Sequence, residues 1–96
     1  IPKFPAIPRD ISLIVPSDVN IEDVSTVIEA AGGSNLLDTD LFDYFEDEEM
    51  KRAGRKSIAF HLIFQAEDRT LTDEEADQSV LSIIQALEEM RWEVRR

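Results

Sequence analysis

From Ser57 to Gln65 the chain alternates strictly, with Ile58, Phe60, Leu62 and Phe64 separated by Ala59, His61 and Ile63. A period of two describes an extended strand with one face buried and one open, because successive side chains leave a strand on opposite sides. The rest of the chain must therefore pair the edges of this strand and cover its Ile58–Phe64 row. Other patterned segments can do both. Arg9–Val15 reads as a strand with Ile11, Leu13 and Val15 toward a core and Ser12 and Ile14 on the other side. Asn20 is placed to cap a helix that carries Glu22 and Asp23 in its first turn. That helix repeats Ile21, Val24, Val27, Ile28 and Ala31 at helical spacing and stops at Gly32-Gly33.

Leu36–Phe45 is a weaker strand, carrying Asp38 and Asp40, and residues 46–56 are expected to form a charged loop. Thr72 with Glu75 makes a capping box for a second helix, whose stripe is Ala76, Val80, Ile83, Ile84, Leu87 and Met90. Trp92–Arg95 is a short closing strand. The order β-α-β-β-α-β predicts an α+β fold, the ferredoxin-like split β-α-β sandwich: a four-stranded antiparallel sheet with two helices on one face. Right-handed crossovers then put the first and third strands at the centre and leave the other sheet face open.

Residues 1–8, IPKFPAIP, are proline-punctuated and read as an extended entry arm, with the domain proper over residues 9–96. The chain opens on Ile1 rather than Met, as expected of a piece of a longer protein. There is no cysteine, which excludes disulfides and thiolate metal sites and fits a reducing, cytoplasmic setting. No apolar run approaches the roughly 20 residues of a bilayer span, so no membrane partner is expected.

The formal charge of −11, from 21 acidic and 10 basic side chains, sits poorly with a polyanionic partner. Its distribution matters more than its sum, since no Lys or Arg occurs between Arg9 and Lys51 or between Arg69 and Arg91. The helices would carry Glu22, Asp23, Glu29, Asp73, Glu74, Glu75, Asp77, Glu88 and Glu89, an acidic outer face. Arg9, Arg95 and the basic half of the 51–56 segment are expected on the open sheet face and its edges, and screening limits repulsion beyond about 8–10 Å.

Phe4-Pro5 leading into Arg9-Asp10-Ile11, then Leu41-Phe42-Asp43, Ser57-Ile58-Ala59, Arg69-Thr70-Leu71-Thr72 and a terminal Arg95 follow one another along the chain. In that order they resemble the anticodon-binding domain of phenylalanyl-tRNA synthetase beta chains, over essentially the whole sequence. The resemblance implies a non-catalytic module that holds the anticodon stem-loop of the phenylalanine tRNA on its open sheet. The rest of the beta chain and the alpha chain would be its protein partners. It also implies no cofactor in this domain, with ATP and magnesium handled elsewhere in the parent ligase. The family pattern Phe-Asp-x-Tyr falls on Phe42-Asp43-Tyr44-Phe45, so Phe45 stands where Tyr is usual, and Glu46-Asp47-Glu48 replaces the family's following Gly.

Leu41, Asp43 and Phe45 are expected on one strand face, so that Asp43 reads a base edge while Phe45 stacks on a base. A carboxylate suits that role because the Watson–Crick edge of an unpaired guanine offers two adjacent N–H donors. The other reading of Asp43 is a strand end or a bond to a nearby backbone N–H. Ser57, Ala59 and His61 would line the next strand's open face, either under RNA or simply facing solvent. His61 is the only histidine, so it has no partner histidine for a metal site and none of the pattern of a nucleophilic triad. For Arg9 and Arg95, RNA contact and a structural ion pair both stand. The rival function is a protein-interaction or regulatory module that uses the acidic helical face. Val15-Pro16-Ser17-Asp18 lacks the glycine-rich turn of a ligand sensor, and the spacing of Glu46–Glu49 fits no calcium loop.

Overall fold

In the computed structural model, which describes residues 4–95, strand β3 (Arg55–Phe64) is hydrogen-bonded along both edges. Strand β1 (Ile7–Pro16) pairs with it antiparallel over ten positions, from Ile7 opposite Phe64 to Pro16 opposite Arg55. Strand β2 (Leu36–Phe45) pairs along the other edge, and β4 (Glu93–Arg95) adds to the free edge of β1. The sheet order is β2-β3-β1-β4, with the first and third strands central as expected. Helices α1 (Ile21–Gly32) and α3 (Asp73–Glu89) cover one face. This is the ferredoxin-like arrangement.

The core follows from the two periodicities. Ile58, Phe60, Leu62 and Phe64 of β3 and Ile11, Leu13 and Val15 of β1 are buried against Val24 and Ile28 of α1 and Ala76, Ile83 and Leu87 of α3. Trp92 closes the end of this core, whereas Met90, expected on the α3 stripe, is exposed. Gly32 is buried where α1 meets β2, and a Cβ there would collide with Leu36.

Two elements differ from expectation. β1 begins at Ile7, inside the expected arm, because Ile7 pairs with Phe64 and packs on the core. Within the arm, Gln65 Nε2 donates to the Phe4 carbonyl, while residues 1–3 of the arm and Arg96 lie outside the described residues. The expected charged loop contains a third helix, α2 (Glu48–Ala53). Its signals were present in the sequence: Asp47 caps it by accepting from Met50 N at 2.8 Å, and acidic residues open it. Lys51 and Arg52 then end it, and Gly54 takes the left-handed cap at φ 71°.

The capping box of α3 forms as read: Thr72 Oγ1 accepts from Glu75 N at 3.1 Å and Glu75 Oε1 accepts from Thr72 N at 3.1 Å. Arg69 adds a two-pronged ion pair to the Glu75 carboxylate, with both N···O distances at 2.6 Å. The Arg69 hydrogen bond, then that from Thr72 N, holds the Glu75 carboxyl down from 4.5 to about 2. A depressed carboxylate stabilises the fold above its unfolded pKa and loses that stabilisation as pH falls through its folded pKa. We therefore expect Glu75→Gln to lower the thermal midpoint at neutral pH, with the deficit shrinking below pH 4.5 and vanishing near pH 2, as read by melting curves against pH.

At the other end of α3, Arg91 occupies the left-handed region at φ 66°, a position that favours glycine. Arg91→Gly should raise stability by about 0.5–1 kcal/mol in chemical denaturation.

Candidate functional site

Neither α1 nor α3 covers the opposite sheet face, and the register fixes which residues it presents. One row runs Asp40–His61–Asp10, the next Asp43–Ala59–Ser12–Arg95, and the third Phe45–Ser57–Ile14–Glu93. Asp43, Phe45, Ser57, Ala59, His61 and Arg95 thus share this face. Ala59 is buried between longer neighbours and Ser57 and Ser12 are half-buried, so the middle of the face is a shallow floor of small residues. Phe45 stands exposed beside it on the edge strand.

A bulge in β2 makes this grouping possible. Leu41 pairs with Phe60 and Asp43 with Ala59, so Phe42 is an extra residue between two consecutive β3 partners. Before the bulge Asp40 shares the open face with His61; after it Asp43 and Phe45 share the face with Ala59 and Ser57. Unbroken alternation from Asp40 would instead have turned Asp43 and Phe45 toward the helices. Leu41 consequently points to the helix side, and the expectation that it shares a face with Asp43 and Phe45 is corrected. Phe42 takes its place. Its ring stacks on His61 with centroids 3.7 Å apart and planes 8° from parallel. His61 Nδ1 lies 2.7 Å from Asp10 Oδ1, and because a carboxylate only accepts, that nitrogen carries the proton. The sequence places Phe42 and Asp10 within motifs but not among the candidate site residues, although the run Leu41-Phe42-Asp43-Tyr44-Phe45 breaks the alternation of a regular strand and so signals a bulge.

Arg9 is not on the open face. It stands opposite Leu62 on the helix side, where Nε donates to Asp77 Oδ1 at 3.0 Å and Nη2 to Asp73 Oδ1 at 3.3 Å. The Asp77 hydrogen bond is the largest influence on its pKa, which is raised from an already high value. Lys56 is also turned inward: it is buried, donates to the Val19 carbonyl at 2.7 Å and lies 5.6 Å from the Tyr44 ring centroid. The expected basic open face is therefore mixed in charge. Arg55 is paired with Glu93 at 3.6 Å, and Asp10, Asp40 and Asp43 share the face with Arg95, whose guanidinium makes no ion pair among the described residues. Such a surface suits the N–H donors of base edges better than a run of phosphates.

Among the described residues no group of three or more His, Cys, Asp or Glu is placed to hold a metal ion, and no helix is long and apolar enough to cross a membrane. Residues 2–95 match the family model for the ferredoxin-fold anticodon binding domain. The chain belongs to that family. The domain is 48% identical over 88 residues, 92% of the chain, to a phenylalanine–tRNA ligase beta subunit of Halalkalibacterium halodurans. It is 38% identical over 95 residues, 99% of the chain, to the like-named subunit of Symbiobacterium thermophilum, and 41% identical over 87 residues, 91% of the chain, to that of Corynebacterium glutamicum. It spans 10–11% of the length of these three relatives.

Arg9 thus stands apart from the candidate face, on the helix side with Asp73 and Asp77. Arg9→Ala should cost about 1 kcal/mol of stability, the exposed carboxylates limiting the pair to that scale. Any RNA affinity, read by titration of the folded variant, should stay within about twofold of wild type.

Proposed function

We propose that this domain is the non-catalytic anticodon-binding module of a phenylalanine–tRNA ligase beta subunit and that its open sheet face receives the anticodon stem-loop. The observation that carries the reading is the β2 bulge, which brings Asp43 and Phe45 over the small-residue floor of Ser57 and Ala59 on an uncovered face. The family match supports the RNA class, and the subunit names of the relatives support the parent ligase. In this reading Phe45 stacks on one unpaired base and Asp43 accepts the two N–H donors of a guanine edge. Ser57 and Ala59 let the base or ribose approach the backbone, and Arg95 supplies a cation for a phosphate. His61 flanks the same surface.

The domain's partners are then the phenylalanine tRNA, the rest of the beta subunit and the alpha subunit, in the cytoplasm. ATP, magnesium and phenylalanine are handled by other parts of the ligase. Isolated, the domain binds weakly, because its open face offers few phosphate contacts.

An NMR titration with the phenylalanine anticodon stem-loop, and with an altered-anticodon loop as control, tests this. Shifts should concentrate on Asp43, Phe45, Ser57, Ala59 and Arg95 and be weaker with the control. Asp43→Asn should cut the preference for the cognate loop by about tenfold, one bidentate contact being worth roughly 1–3 kcal/mol. Equal shifts for both loops confined to residues 51–56, or tight binding insensitive to salt, would contradict the reading.

A further inference from the structure

We propose that Phe42, His61 and Asp10 form a second base-stacking step on the open face, which takes an unpaired base other than the one held at Phe45. This inference rests on the anticodon reading above. Three observations carry it. The first is order: Phe42 and His61 are already parallel at 3.7 Å, and Asp10 fixes the imidazole plane through Nδ1 at 2.7 Å. A platform ordered before binding loses little rotamer freedom when a base arrives. The second is exposure, since Phe42 is 47% exposed and the His61 side chain 46%, with neither α1 nor α3 on that face. A ring pair serving only to fill the fold would be covered. This one offers an aromatic surface to solvent.

The third is the choice of neighbours. His61 is flanked in register by Asp10 and Asp40, and Asp43 follows Phe42. Carboxylates accept hydrogen bonds and repel phosphate, so the occupant that fits is a nucleobase with N–H donors on its edge. Position separates this step from the first. Phe45 stands opposite Ser57 and the stacked pair sits at His61, four residues along β3, or roughly 13 Å at strand spacing. One base cannot touch both. Ala59 lies between them on β3, so a single strand crossing this floor meets an aromatic ring at each end.

The test measures binding of this chain to the phenylalanine anticodon stem-loop and to three versions of it, each with one anticodon position made abasic. Phe42→Ala should weaken binding of the intact loop at least about fivefold, the lower end of a base–aromatic stack. Phe42→Trp should restore binding, as a platform role requires and a size-specific packing role does not. The Phe42→Ala effect should disappear with one abasic loop, and the Phe45→Ala effect with a different one. If Phe42→Ala binds like wild type while Phe45→Ala is weakened, the second step is wrong and the anticodon face stands. If both effects vanish with the same abasic loop, the second step is likewise wrong. If neither variant matters, or the open-face resonances do not move with any loop, the anticodon reading falls and this inference falls with it.

Discussion

The geometry of the molecule depends on β3 being committed on three sides. Its Ile58–Phe64 row is buried under the helices, and both of its edges are consumed by β1 and β2. A one-residue slip would carry four large apolar side chains to the open face, so its register is held by the whole core. The fourth side is the only one left for function. Ser57, Ala59 and His61 face it because of where Ile58, Phe60 and Leu62 must go, and β3 thereby sets the origin from which neighbouring strands place their residues.

Against that fixed strand, β2 has more freedom. Leu41, Phe42, Tyr44 and Phe45 all remain exposed, and the strand can accommodate an extra residue without opening the core. The bulge uses this latitude to put aromatic and acidic side chains on one face in succession, which regular alternation forbids. Charge is sorted by the same alternation. Arg9 and Lys56 are spent on the helix side, leaving an open surface rich in acceptors that also carries Arg95. A surface of that kind favours recognition of base edges over backbone attraction, consistent with a domain that is acidic overall.

Most of the fold was legible because it rests on period and capping, both local. The β3 alternation, the Asn20 cap and the Thr72–Glu75 box each appear in the structure as read, and with them the strand order. Helix α2 is too short for an apolar period to show and is stabilised almost entirely by its caps and end charges, so it passed for a loop. Of the candidate site, the residues on β3 were legible from the core pattern, while β2 was not, because its faces depend on a bulge settled by pairing with β3. Arg9 was ambiguous for a different reason: its partners are 64 and 68 residues away, and no local pattern reveals them.

The neighbours Arg9 and Asp10 carry opposite charges to opposite sides of β1. Arg9 meets the carboxylates at the start of α3, and Asp10 meets His61. Sliding β1 by one residue in one direction would set Arg9 opposite His61 and Asp10 opposite Phe60; sliding it the other way would set Asp10 opposite Leu62, on the side of Asp73 and Asp77, and Arg9 opposite Ile63. The first slip sets a carboxylate against the buried Phe60 and takes Arg9 from its two partners; the second brings a third carboxylate to Asp73 and Asp77. The dipeptide therefore works as a parity check on strand pairing, rejecting the odd-numbered misalignment electrostatically, in addition to the apolar row that rejects it by burial.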